Sequence, residues 1–403
     1  ARVEQARAAA AHAQANRMPT GSLDASVERQ QQSTRSPLGK IASAFPGYQR
    51  GQTVEQAGPG ASWELDLAGG LRRGAEAADA EYQAAEATHV GVRISLAAEA
   101  ADAYFRVRGA QERIEIAEAQ IKNESGLLDL VRLRTEHGLG TVRESAQAEA
   151  LLLQARATIP PLTIELETQL NRLDVLMGAA PGTYAAEIGT AGKAFTVPRL
   201  DTAGGPAGLL RRRPDVMAAE RELAASNARI GVAVSGYYPQ VSLSALLGFS
   251  TLGSGHLLTG QAFQPQAALG LHWRLFDFGR VDAEVQQAKG ANAEALARYR
   301  SAMLRATEDV ENAIVSLTQL EAQHALLTDE VDAHTRARDA AQDAYTGGAV
   351  SLIEVLDEDR QLLASRDLLS RVHTDDARSA VAAFRALGGG WDAPHDTVAS
   401  TEN

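Results

Sequence analysis

Hydrophobic positions along this chain follow two different periods. Between Ala61 and Ile159 no proline occurs, and Val90, Ile94, Ala97, Ala101, Tyr104, Val107, Ala110, Ile114, Ala117 and Ile121 recur at steps of three and four. That is one apolar stripe along an α-helix. A second proline-free span, Gln266 to Ala393, repeats it at Met303, Ala306, Val310, Ala313, Leu317 and Leu320. Proline costs about 3 kcal/mol inside a helix, so such spans are where long helices can form. Glycines bound one helix near Gly69–Gly138 and another near Gly279–Gly347. At the usual helical rise each would be on the order of 100 Å long. Helices of that length need lateral partners throughout, and the many stripe alanines let neighbours approach closely.

Before each long helix the period changes to two. Val241, Leu243, Ala245, Leu247 and Phe249 alternate with mostly small or polar residues in QVSLSALLGFS, as do Leu269, Leu271, Trp273 and Leu275 in ALGLHWRLFDFG. Alternation predicts strands with one apolar face. GSLDASVERQ and ASWELDLAGG are fainter versions in the first half, and glycine-, serine- and threonine-rich stretches near 31–60 and 250–264 separate the strands of each pair.

The two halves superpose at an offset of 210, which sets Trp63 on Trp273, Leu65 on Leu275, Gly69 on Gly279, Gly138 on Gly348, Thr141 on Ser351 and Glu144 on Glu354. Upstream, Arg17-Met18-Pro19 meets Tyr237-Tyr238-Pro239 at an offset of 220. An ordered set of matches in one register is the signature of a tandem duplication. Each unit reads helix, two strands, long helix, turn, return helix. The first repeat spans 1–179, a Gly/Ala/Pro-rich linker 180–213, the second repeat 214–387 and a tail 388–403. The first return helix should run unbroken from Thr141 to Gly178, and RRRPDV restarts a helix with Pro214 at its first position and Asp215 in its first turn.

Composition narrows the classes. A net charge of −12 argues against a nucleic-acid partner. There is no cysteine for disulfides or thiolate metal sites. No run approaches the roughly 18 to 20 apolar residues of a transmembrane helix, though membrane strands carry a far weaker signal. The nine histidines are scattered, with no HExxH, no GxxxxGK[ST] and no GxSxG, so no catalytic or metal site and no cofactor is expected. ARVEQARAAAAHAQANRMP opens in mid-helix pattern, and a leader with further residues is expected upstream of it.

RRRPDVMAAERELAASNARIGVAVSGYYPQVSLSALLGFS, SWELDLAGG and ALGGGW (Ala386–Trp391) together resemble outer-membrane efflux lipoproteins of the TolC-like superfamily, NodT branch, over essentially the whole chain. The resemblance implies a mainly α fold with a membrane β-barrel part. Long helical hairpins would build a periplasmic α-barrel, and four strands per chain would contribute to a 12-stranded β-barrel closed by a homotrimer. It also implies an exit duct in outer-membrane lipid, joined through a periplasmic adaptor to an inner-membrane transporter of the RND type. The lipid-bearing cysteine of that branch has no counterpart in these residues. Independently, two strand pairs cannot close a barrel alone, whereas several copies can. The rival reading is a non-channel coiled-coil scaffold of the cell envelope.

Within that resemblance, Glu354 and Asp357 match paired acids at a closed periplasmic entrance. They lie at i and i+3 on one helix face. Copies of this pair would ring a constriction with carboxylates, favour cations, and raise one another's pKa values. The neighbouring Glu358 and Asp359 would stay solvated. The plainer reading of the acids is a solvated helix face. The turns Gly138, Leu139, Gly140, Thr141 and Gly347, Gly348, Ala349, Val350, Ser351 would meet the adaptor, their plainer reading being helix C-caps. Some relatives carry a latching arginine where this chain has Val350, which leaves Arg143, beside Glu144, as the candidate gate contact. Trp63 and Trp273 read as packing at the strand-to-helix bend rather than as membrane-interface anchors.

Overall fold

A computed structural model describes residues 1–189, 195, 212–253 and 256–389. Most of the linker, and Gly390 and Trp391 of the ALGGGW motif with the rest of the tail, lie outside the described residues. The element order is α1 (Arg2–Ala15), β1 (Thr20–Gln31), α2 (Pro37–Ala42), β2 (Gly51–Leu65), α3 (Gly70–Glu136), α4 (Val142–Ala157), α5 (Ile159–Leu176), α6 (Ala185–Ile188), α7 (Pro214–Ser235), β3 (Gln240–Leu252), β4 (Phe263–His272), α8 (Arg280–Thr346) and α9 (Leu352–Ala386). Contacts divide the chain into two compact units, Ala1–His89 with Met217–Ser301, and Val90–Val216 with Ala302–Asn403.

The duplication is visible in backbone geometry. α3 and α8 each have 67 residues. Left-handed glycines recur at Gly69, Gly138 and Gly178 in the first repeat and at Gly279, Gly348 and Gly388 in the second. All three pairs are 210 residues apart, where glycine alone adopts positive φ without a Cβ penalty. The return helices differ. α9 is continuous over 35 residues, whereas the predicted Thr141–Gly178 helix divides at Thr158 into α4 and α5. Pro160 and Pro161 follow, and a proline has no N–H to continue a helical ladder.

In the first unit, the strands form one antiparallel sheet in the order β1-β2-β3-β4. β2 and β4 begin well before the alternating segments read from sequence, at Gly51 and Phe263, and β4 ends at His272. The register aligns Leu23 with Pro59, Ala57 with Phe249, Trp63 with Leu243, Leu65 with Val241, Leu243 with Leu269 and Val241 with Leu271. One face therefore carries Leu23, Val27, Pro59, Trp63, Leu65, Val241, Leu243, Leu247, Phe249, Leu269 and Leu271, with small residues between them and Arg29, Gln31 and Glu55 toward the end away from the tryptophans. The opposite face carries Ser22, Asp24, Gln56, Ser62, Glu64, Ser242, Ser244, Gln264, Gln266 and His272. Two aromatic positions bracket the apolar face. Phe249 and Phe263 touch at one end (ring centroids 5.5 Å apart). At the other, the indole N–H groups of Trp63 and Trp273 donate to the backbone oxygens of Arg17 and Tyr237, at 2.9 and 3.0 Å. That is the offset-220 match read from sequence. Both indoles are anchored to the backbone by these bonds and remain 38% and 52% exposed.

Helix starts after the sheet are fixed by aspartates. Asp66 accepts from the N–H groups of Leu71 and Arg72, and Asp277 from those of Gly279 and Val281. The buried positions on the helices of this unit are mostly alanine, among them Ala75, Ala80, Ala84, Ala225 and Ala228, with Val281 and Val285.

In the second unit, Leu170 and Leu173 of α5 bury Ala103 and Val107 of α3, and Val310 and Ala313 of α8 pack on Ala383 and Ala386 of α9. Ion pairs cross between α3 and α9. Arg378 reaches Asp102 at 2.6 Å and Arg113 reaches Asp367 at 2.6 Å. At the first, α3 comes so close that a Cβ on Gly109 would lie 2.2 Å from Thr374 Oγ1. Arg213, just ahead of α7, is buried. Its guanidinium donates to the Ala386 carbonyl at 3.0 Å, the Ala306 carbonyl at 3.4 Å, Asp309 at 2.8 Å and Asp215 at 2.8 and 3.1 Å. Ala386 is the last residue of α9, so the arginine occupies a carbonyl with no intrahelical partner.

Candidate functional site

The two turns share one construction. Long helices end because Gly138 and Gly348 take φ of 73° and 78°. Leu139 N–H then bonds back to Arg134 O, and Ala349 N–H to Ala344 O, both at 2.8 Å. These are the six-to-one closures of Schellman motifs. The next helices open on capping boxes. Glu144 accepts from the N–H (2.7 Å) and hydroxyl (3.1 Å) of Thr141, whose oxygen accepts from Glu144 N–H at 3.2 Å. Glu354 likewise accepts from the N–H (3.3 Å) and hydroxyl (3.2 Å) of Ser351. TVRE and SLIE therefore match at an offset of 210 because both are Ser/Thr-x-x-Glu helix starts, a signal the sequence carried openly.

The first turn presents Leu139 (72% exposed) and Val142, with Gly138 and Thr141 exposed around them and Gly140 half-buried. In the second, Gly347, Gly348, Ala349 and Ser351 are exposed. Val350 instead packs against a core of Leu127, Leu128, Val131, Leu152, Tyr345, Leu352 and Val355, which joins α3 and α4 to α8 and α9 just behind the turns. Arg134 lies over the Tyr345 ring at 4.6 Å and braces the same junction. Arg143 is exposed and forms no ion pair among the described residues.

The acids differ from one another. Glu354 is exposed and held by its capping box. Asp357 is half-exposed, and hydrogen bonds from Arg360 first and Gln361 second hold its carboxyl below the ordinary value, not above it. Nor are the other two solvated. Glu358 pairs with His334 at 3.1 Å, and Asp359 is only 6% exposed. Asp359 falls on the stripe Leu352, Val355, Asp359, Leu362, which faces the neighbouring helices, and burial raises its carboxyl. Opposite it sits Glu124 of α3, 1% exposed, a residue that sequence reading passed over. Burial first and Asp359 second push Glu124 up to about 7. Its position on the stripe Ile121, Glu124, Leu128, Val131 was the available signal.

Among the described residues no cluster of His, Asp and Glu is arranged to hold a metal, and no helix is long and apolar enough to cross a membrane. Neither observation bears on a sheet with one mainly apolar face.

Comparison with known proteins agrees with this geometry. The family model "Outer membrane efflux protein" matches residues 1–179 and 206–389. The pyoverdine export outer membrane protein OpmQ of Pseudomonas putida is 32% identical over 405 residues, covering 98% of this chain and 83% of that protein. The outer-membrane channel OprN superposes with a TM-score of 0.88 at 32% identity, covering 97% of this chain and 86% of that one. The open-state MtrE outer membrane channel of Neisseria gonorrhoeae gives 0.85 at 27% identity, over 96% and 84%. The chain belongs to the outer membrane efflux protein family.

Proposed function

We propose that this chain is the passive exit duct of a tripartite pump, gated at the turns that end α3 and α8. Three copies would bring their four-stranded sheets together into one closed barrel, with the apolar face toward lipid and the polar face toward the lumen. No chemistry takes place in the chain, and the driving force comes from an inner-membrane transporter of the RND type coupled through a periplasmic adaptor. Shallow, backbone-rich turns with exposed Leu139 and Val142 suit an adaptor's helical tips. The functional sequence blocks are two repeats, 1–179 and 214–387, with 180–213 and 388–403 outside them. Glu354 and Asp357 lend the entrance its negative charge, with Arg143 and Glu144 as contacts between copies.

The observation that carries this reading is the two-faced sheet. A coiled-coil scaffold has no use for a strand surface that is apolar across all four strands on one side and polar on the other. Proteoliposomes test it. Vesicles holding the purified protein should release an entrapped small solute much faster than empty vesicles, whereas a scaffold would leave release at the empty-vesicle rate. The related ducts include one named for pyoverdine export, and a siderophore-sized solute is a suitable probe.

A further inference from the structure

The seam between the two hairpins behind the turns is mainly apolar but holds two buried acids. On α3, Ile121, Leu128 and Val131 line it with Glu124 among them. On α9, Leu352, Val355 and Leu362 line it with Asp359 among them. Carboxylates at seam positions weaken a helix interface unless they are paired, and few partners are present. From α3, Gln120 donates to one oxygen of Glu124, and the other oxygen, Oε2, is buried with no hydrogen-bond partner. From α8 comes Arg338, which lies 3.6 Å from Asp359 and is shared with Asp339 at 3.4 Å. From α9 come Arg366, close enough to Asp359 to act on it, and Glu358, which is already engaged with His334. The seam therefore holds two buried acids, with the shared Arg338 and the more distant Arg366 both acting on Asp359.

We propose that Glu124 and Asp359 form a proton-held clasp between the hairpins, which keeps the entrance closed while the proton is bound and lets it open when the proton leaves. This rests on the reading that the turns form the entrance. Bound, the proton gives the unpartnered Glu124 oxygen a hydrogen to donate toward the neighbouring carboxylate, and Asp359 is the one buried negative charge of the pair. Lost to solvent, it leaves two buried carboxylates facing each other, and their repulsion falls on the seam that holds α3 against α9. The midpoint of Glu124 at about 7 puts the change within the range of ordinary environments. Asp357 titrates below its ordinary value and lies outside that window.

The test is bilayer conductance of the full chain as a function of pH, with hydrogen exchange over residues 121–131 and 352–362 measured in parallel. Wild type should gain about tenfold in open probability between about pH 6 and about pH 8, with faster exchange in both segments over the same interval. Glu124→Gln keeps a neutral donor in place and should hold the low-pH conductance and exchange at every pH. Asp359→Asn removes the neighbouring charge and should move the midpoint down by about one pH unit or more. His334→Gln, which removes the partner of Glu358 and leaves Glu124 and Asp359 in place, should leave the transition where it is. Conductance that is present but flat with pH overturns the clasp and leaves the duct intact, as does a transition that survives Glu124→Gln or vanishes with His334→Gln. No conductance from any variant at any pH overturns the duct reading itself.

Discussion

Arg213 offers a local test of how the second unit is held, because its cost of removal can be worked from its partners. It is buried, and it donates to the Ala386 carbonyl at the end of α9, reached at 3.0 Å. A charged hydrogen bond of that kind contributes about 1.5 to 3 kcal/mol. A cation at a helix C-terminus adds about 0.3 to 1 kcal/mol. Asp215 and Asp309 are about half exposed, so water can take over much of their bonding, and each pair adds at most about 1 kcal/mol. Arg213→Ala should therefore loosen the region by about 3 kcal/mol, equivalent to about a hundredfold faster exchange through local opening. Arg213→Lys keeps the charge but offers one donor group where the fork offers three, and should recover about half of that. Hydrogen exchange over 302–310 and 380–387 reads the effect directly. Exchange in Arg213→Ala within about twofold of wild type would refute the capping argument. Full rescue by lysine would assign the effect to charge alone.

Other outcomes follow from the same geometry. Thr141→Ala and Ser351→Ala should each cost about 1 kcal/mol at the start of α4 or α9, seen as faster exchange confined to the first turn of that helix. Gly109→Ala drives a methyl into Thr374 and should destabilise by about 1 to 3 kcal/mol, while Gly109→Ala with Thr374→Ala, which removes the clashing Oγ1, should recover part of that, measured as thermal midpoints in detergent. Asp102 is held below the ordinary carboxyl value: partial burial opposes this, but the bonds from Arg378 and Arg106 outweigh it. Its contribution is complete above pH 3.8 and is lost as pH falls through its lower folded value, so acid should increase protease nicking of α3 and α9 around the pair. With Trp63 or Trp273 as the single remaining tryptophan, brominated phospholipids should quench fluorescence most strongly when the bromine lies near the headgroups, and the absence of quenching would place these rings against protein.

What the sequence discloses depends on whether the cause is local. The three glycines of each repeat, the paired tryptophans and the equal long helices all arise from backbone needs that recur at one offset, and they are legible without a structure. Strand extents are not, because the first part of β2, GQTVEQAGPG, shows no clean alternation yet pairs on both sides with other strands. The break in the first return helix was written in Pro160 and Pro161 and was overridden by the symmetry of the repeat. The burial of Asp359 and Glu124 is hidden in the sequence for a different reason. Acids default to solvent, and only the placement of their stripes against neighbouring helices reveals that both point into a seam. The same default concealed the capping boxes, since Glu144 and Glu354 read first as charge and only then as helix starts.

The central claim is that the turns behind Gly138 and Gly348 form the charged entrance of a conducting duct, and ion selectivity in a planar bilayer tests it most directly. Glu354→Gln with Asp357→Asn removes both charges while glutamine still completes the capping box, so the fold of α9 is preserved. Wild-type channels should prefer cations, and the double variant should conduct with that preference clearly reduced. Channels that keep the wild-type selectivity after both charges are gone would contradict the placement of the entrance.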